Sequence, residues 1–291
     1  MSSSVATNKT VSLTGRPFQA DGAVAVNGVH YDVGATVFRW DHAAGKDGYA
    51  TNKAVVESED RRTGEVEKRV IAGKRYSLRP KGIKSITQFL IHHTGGPRAE
   101  QCYETLHNER KLSVHFIISD QGIVFQTLDA VVQAWHAGKH NPFSVGVECA
   151  LYPDAQSYPD YYNAKRREKY GLAVHKIITD EIQGMKRKVF AFTEVQVEAL
   201  ARVAAGVWTA LHVDQESAWK ISSMVKPLFP RTKSGDIPRE AIANAKSHQG
   251  LLGHLHATRK KWDPAGFPWE DFEERVAELF LQFTKDGRSR W

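Results

Sequence analysis

The chain has 291 residues, 41% of them apolar and 25% charged, with a formal net charge of +7. That length allows one large domain, or one domain with a small annex. No apolar run approaches the roughly 20 residues of a membrane helix, and the two cysteines, Cys102 and Cys149, are too few for a disulfide framework or a cysteine-rich zinc site. The basic balance suits a polyanionic partner (nucleic acid, an anionic membrane or an anionic wall) without requiring one.

The first ten residues lack an apolar stretch of leader type, so classical secretion is not expected, while release by lysis or injection stays open. Residues 1–14 are small and polar, and disorder is expected there. Ala23-Val24-Ala25-Val26 and Val29-His30-Tyr31 flank Asn27-Gly28, a two-residue hairpin signal. Glu57 to Lys68 is charged and reads as solvent-facing. Residues 1–80 are therefore read as a partly disordered, β-rich extension of unknown role.

Ile86 to His92 is an apolar strand candidate ended by Gly95-Gly96-Pro97. Ala99 to Arg110 reads as a helix. His115 to Ile118 and Ile123 to Thr127 form a hairpin around Asp120-Gln121-Gly122. Ser144 to Leu151 is apolar enough for a central strand. Residues 152–190 are polar and Tyr-rich without a clean period, and read as a long loop region with some helix. Thr193 and Gln196 form a capping box. The apolar spacing of Leu200, Val203, Ala204 and Val207 carries that helix to about Leu211. Residues 214–248 are irregular. Trp269 to Phe283 is an amphipathic helix. Mixed strands and helices predict an α/β fold, a central mixed sheet flanked by helices. It occupies 81–291, with insertions near 152–190 and 214–248.

Five side chains stand out chemically. His92 leaves an apolar strand at its tip, where sites are commonly built. His254 follows the apolar run Leu251-Leu252-Gly253, and Asp263 comes nine residues later. Two imidazoles and a carboxylate make a possible catalytic zinc set with one position open, although no short metal motif brings them together. Glu148 shares a strand face with Gly146 and Ala150, opposite Val145, Val147 and Cys149. A carboxylate there is costly unless paired or functional. Lys261 lies two residues before Asp263, where a cation can stabilise an oxyanion. Taken singly, each has a plain alternative: a structural hydrogen bond for His92, an ion pair for Glu148, surface charge for Lys261.

The ordered set Phe89-Leu90-Ile91-His92-His93-Thr94-Gly95-Gly96, Ser113-Val114-His115-Phe116, Ala134-Trp135-His136-Ala137-Gly138, Asn141, Ser144 to Glu148, Gly253-His254 and Lys261-Trp262-Asp263-Pro264 resembles the type 2 N-acetylmuramoyl-L-alanine amidases. That superfamily includes peptidoglycan recognition proteins and amidase-type phage lysozymes. The resemblance spans roughly residues 86–275. It implies Zn2+ held by His92, His254 and Asp263, with Glu148 as general base and Lys261 steadying the oxyanion. It places Thr94, Trp135, His136 and Asn141 at the substrate cleft, with core packing an equal alternative for Trp135 and His136. Three features depart from the pattern. Pro264 is followed by Ala265-Gly266, Val114 stands where some members carry a catalytic Tyr, and His256 is near enough to His254 to compete as ligand.

By resemblance the substrate is peptidoglycan, cut between N-acetylmuramic acid and L-alanine. The expected setting is lytic, as a phage endolysin or secreted antibacterial effector acting in the periplasm or on the wall. An immunity protein or delivery apparatus is an expected partner; nucleic acid and membrane insertion are not. The rival readings are a non-catalytic recognition protein and a cytoplasmic recycling amidase.

Overall fold

The computed structural model describes residues 10–14, 19–49, 54–59, 66–71, 79, 85–213 and 228–288. Side chains are described for all of these except 54–59, 66–71, 212–213 and 286–288, so the expectation that Glu57 to Lys68 face solvent lies outside them.

β1 (Thr10–Ser12), β2 (Ala23–Val26) and β3 (Val29–Asp32) make a three-stranded sheet in the order β1-β3-β2. Disorder was expected at β1, and the chain is instead paired in parallel with β3. The β2–β3 turn is the Asn27-Gly28 pair, with Val26 opposite Val29. Both turn residues have positive φ, 54° and 74°, the conformation that a two-residue hairpin demands. Asp129 accepts hydrogen bonds from both turn amides, at 2.8 Å each, and so ties the hairpin to the rest of the chain. β4 (Val37–Arg39) follows, and β5 (Ala54–Glu59) pairs with β6 (Val66–Ile71) as a separate ribbon.

The main sheet contains β4, β7 (Gln88–His93), β8 (Phe116–Ile118), β9 (Val124–Gln126), β10 (Ser144–Cys149) and β13 (Gly250–Gly253), in the order β13-β7-β10-β8-β9-β4. β13, β7, β10 and β8 run parallel, while β8 and β9 are the antiparallel hairpin expected from sequence. Every residue of β10 is buried, as a strand covered on both faces requires. Between β7 and β8, α1 (Ala99–Tyr103) continues as a wider π-turn over Glu104–Glu109. The predicted helix is present in position but not uniformly α.

α2 (Ala164–Tyr170) precedes an antiparallel hairpin of β11 (Ile177–Ile182) and β12 (Met185–Phe190). The region 152–190, expected as loop with some helix, holds that helix in α2 and, unexpectedly, this hairpin over its last part. α3 (Glu194–Val213) is capped by Thr193, whose Oγ1 accepts from Gln196 N at 3.2 Å; the other half of the expected capping box is not formed, because the Gln196 amide donates instead to the carbonyls of Ile118 and Ala150. α4 (His254–Ala257) follows β13, and α5 (Trp269–Arg288) closes the described chain.

One face of the sheet carries Phe89, Ile91, Val145 and Val147, packed in a common core with Leu200, Val203, Val207 and Trp208 of α3 and Phe272, Val276 and Leu279 of α5. Val24, Val26, Tyr31 and Val33 join that core. The opposite face carries Leu90 and Leu252 in a smaller cluster with Ala137. Pleating puts His92 on the Leu90 side, away from α3. No helix among the described residues is long and apolar enough to cross a membrane.

Candidate metal centre

Register brings the chemistry together. β7 and β10 align His92 with Glu148, and β13 aligns Gly253 with Ile91, so His254 emerges level with His92. All three side chains stand at the carboxyl ends of parallel strands, where open α/β sheets build their sites. Gly253 is needed there. A Cβ at that position would lie 2.6 Å from the Trp269 ring and 2.7 Å from Pro264.

His92 Nδ1, His254 Nδ1 and Asp263 Oδ2 form a triangle with every side 3.0 Å. Tetrahedral zinc with bonds near 2.05 Å holds its ligand atoms about 3.3 Å apart, close to this spacing. The donor set fits such an ion chemically, with two imidazoles, one carboxylate and a cavity on the open side. His92 and Asp263 are buried, at 2% and 6% exposure, so neither can relax into water. Burial pushes His92 down to about 4, with the neighbouring His254 charge adding to the effect, although Asp263 opposes it. The ring is therefore neutral near pH 7, with a lone pair to offer. Burial disfavours the Asp263 carboxylate, but the His254 and His92 rings against it outweigh that and hold the group well below the usual range.

A cavity of about 650 Å³ opens over this triangle, walled among others by Glu148, Lys261, Trp262 and Arg110. Glu148 is 9% exposed, and its Oε2 has no hydrogen-bond partner among the described residues. Burial raises Glu148 to about 8, the Asp263 charge adds to it, and Lys261 and Arg110 pull it back. The Glu148 ion pair left open by the sequence is absent: no salt bridge joins this carboxylate to a cation among the described residues, and its shift is upward.

The remaining expected residues divide. Thr94 and His136 line the cavity. Thr94 Oγ1 is engaged by the amides of Gly96 and Leu151. His136 sets its ring against His92, Nδ1 lying 3.0 Å from His92 Nε2. Trp135 and Asn141, expected at the cleft, stand outside its wall. Trp135 is 37% exposed, and Asn141 Oδ1 accepts from the amides of His136 and Ala137. His256 does not compete as a ligand. Its Nδ1 accepts from Gly253 N and its Nε2 lies 2.7 Å from Pro238 O.

Three contributors were not foreseen. Arg110 was read only as a helix end. Gln183, at the β11–β12 turn, donates from Nε2 to the carbonyls of Leu255 and Lys261 at 3.0 Å and of Thr258 at 3.3 Å. Asp180 Oδ2 accepts from Gly266 N at 2.9 Å. The hairpin thus grips both sides of the segment carrying Lys261 and Asp263. Nothing in the local sequence of 177–190 points to that distant partner.

The sequence model of the N-acetylmuramoyl-L-alanine amidase family matches residues 83–266, more than half of the chain. The chain belongs to this family. Among functionally curated proteins none matches this amidase. Solved structures similar to it include the amidase AmiD from E. coli, in complex with anhydro-N-acetylmuramic acid-L-Ala-D-γ-Glu-L-Lys. Identity there is 16%, covering 77% of this chain and 66% of that one, with a TM-score of 0.40. AmiA of Staphylococcus aureus is 15% identical over 73% of this chain and 80% of its own, with a TM-score of 0.42. AmpDh3 of Pseudomonas aeruginosa, in complex with anhydromuramic pentapeptide, is 16% identical over 67% and 61%, with a TM-score of 0.39. The family assignment of the amidase rests on the match over residues 83–266.

Proposed function

We propose that this amidase is zinc-dependent and hydrolyses the amide between N-acetylmuramic acid and L-alanine in peptidoglycan. One observation carries the reading: two buried imidazoles and a carboxylate converge at 3.0 Å beside a buried carboxylate with an unpartnered oxygen. Held by His92, His254 and Asp263, zinc supplies Lewis acidity, activating a water and polarising a carbonyl.

Glu148 moves the protons. Raised to about 8, its carboxylate is a ready acceptor, and its acid form a ready donor to the leaving amine, close to neutral pH. Lys261 lies in the same cavity and its charge acts on both Glu148 and His92. It stabilises negative charge developing on the scissile carbonyl oxygen, a type of contact worth about 3 kcal/mol. Trp262 and His93, whose rings stack edge to face at 5.2 Å, wall one flank of the cavity.

The biological reading is lytic: an endolysin or delivered antibacterial effector working on the wall. The net charge of +7 suits that anionic polymer. An immunity protein or delivery apparatus is the corresponding partner. A recognition protein without catalysis would not need a carboxylate such as Glu148, raised and left unpartnered beside the triangle.

Product analysis on purified peptidoglycan tests this. Stem peptides with a free L-alanine amine should appear while the glycan stays uncut. A chelator should stop their release and zinc should restore it. New reducing ends, or turnover indifferent to the chelator, would overturn the reading. Binding without product would favour the recognition protein.

A further inference from the structure

His136 was expected to touch substrate, yet its ring sits between His92 and the start of β10. His92 Nε2 lies 3.0 Å from His136 Nδ1, and His136 Nε2 lies 3.0 Å from Ser144 Oγ. Ser144 Oγ donates to the carbonyl of His140 at 2.9 Å. The Ser144 hydroxyl is placed to donate to His140 O, a carbonyl that can only accept and that also takes the Phe143 amide at 2.9 Å. With its hydrogen there, Ser144 Oγ accepts from the ring, and His136 Nε2 carries the proton it receives. A neutral His136 therefore has a bare Nδ1, which can only accept from His92. His92 Nε2 is the donor, and its Nδ1 is left bare, facing His254 Nδ1 and Asp263 Oδ2.

We propose that His136, seated on Ser144, is a positioning residue that fixes His92 in the tautomer and orientation needed to bind a metal through Nδ1. The proposal rests on the zinc reading above for the identity of the ion, but not for the direction of the relay. Without that relay His92 could carry its proton on Nδ1, pointing hydrogen at the place an ion would occupy.

The surroundings are shaped for this one ring. Ser144, Gly146 and Glu148 alternate along β10 and share a face. Ser144 receives the ring, and Gly146 makes space for it: a Cβ there would lie 2.4 Å from His136 Nδ1 and Cε1. Glu148 then reaches the cavity beyond. The loop that delivers His136 is held at both ends by Arg79, which is buried and donates to the carbonyls of Val131, Asn141 and Ser144 at 2.8–3.0 Å. Two strand positions and one buried guanidinium thus serve the placement of a single imidazole.

The experiment measures zinc affinity by chelator competition in H136F, H136N and S144A, with the His136 tautomer read by long-range nitrogen–proton NMR. Loss of a partner that orients a metal-ligating histidine typically weakens binding about 10–100-fold. H136F, which keeps the ring volume, should show such a loss. H136N, whose Oδ1 can accept from His92, should recover part of it, and S144A should lose less than H136F. Wild-type His136 should carry its proton on Nε2. Overturning results are unchanged zinc affinity in folded H136F, a raised KM with unchanged zinc affinity (the mark of a substrate contact), or a wild-type His136 protonated on Nδ1. The tautomer is readable with or without metal. A wild type that takes up no zinc therefore defeats the zinc reading alone and leaves the relay to the NMR result.

Discussion

The carboxyl edge of β7, β10 and β13 and the β11–β12 hairpin both hold the same three-donor cluster, by opposite means. Along the edge, His92 and Glu148 are buried and follow from strand register. Along the hairpin most side chains are exposed, and its grip comes from Gln183 and Asp180 on distant main chain. In the proposed mechanism the edge supplies the reacting groups, and burial along it shifts His92 and Glu148 in opposite directions. The hairpin sets where Asp263 stands. A site of this kind therefore has a chemical half and a positional half, and substitutions should separate them.

The largest effect belongs to the chemical half. Glu148→Gln keeps shape and burial while removing the proton carrier. Turnover should fall about 10²–10⁴-fold, the usual worth of general acid–base catalysis. Zinc content should be unchanged, because Glu148 is not among the three converging donors. Turnover assays paired with metal analysis check both. Activity surviving within tenfold would remove Glu148 from the chemistry and undo the division drawn above.

The same buried carboxyl also ties stability to pH. Folded, Glu148 keeps its proton to about pH 8, against 4.5 for an ordinary glutamate. Between those values the folded state binds more protons than the unfolded one, so stability falls as pH rises. The histidines lowered by burial, including His92, His115 and His256, act in the opposite sense, but only below their ordinary value of 6.5. The raised cysteines act above 9, as does Arg79, which burial lowers to about 9. From 6.5 to 8 Glu148 is left as the dominant group. Metal-free protein should lose about 2 kcal/mol across that window, at roughly 1.4 kcal/mol for each pH unit. Urea unfolding at several pH values would show it, and Glu148→Gln should flatten the slope. A flat wild-type profile would mean that Glu148 finds a partner the structure lacks.

The two halves also differ in how far they can be read from sequence. β7, β10 and the Asn27-Gly28 hairpin were legible because buried strands and positive-φ turns constrain residue type locally. His92, His254, Asp263 and Glu148 were individually ambiguous, and only their order within a family pattern joined them. The β11–β12 hairpin was missed because its strands bury almost nothing, so Ile177 to Phe190 shows no alternation. Its turn is Gln183-Gly184 rather than Asn-Gly, although both residues take positive φ, 53° and 74°. The relay through His136 was half-visible. Gly146 and Glu148 were placed on one face of β10, but a glycine that makes room for a ring 44 positions from His92 leaves no local trace.

The smallest effect tests the positional half directly. Gln183→Ala removes one amide that donates to three carbonyls and accepts from Ala241 N at 3.2 Å. Gln183 is half-buried, so water replaces part of what is lost, and the stability cost should be about 1 kcal/mol. The informative change is elsewhere. The loop through Lys261 would lose its anchor while His92 and Glu148 remain untouched. Zinc affinity should then drop a few-fold, with turnover of the fully loaded enzyme nearly preserved. Chelator competition and saturating-zinc kinetics on the same variant separate these quantities. If Gln183→Ala instead lowers turnover as strongly as Glu148→Gln, the hairpin is not merely holding Asp263 in place, and the two halves are one.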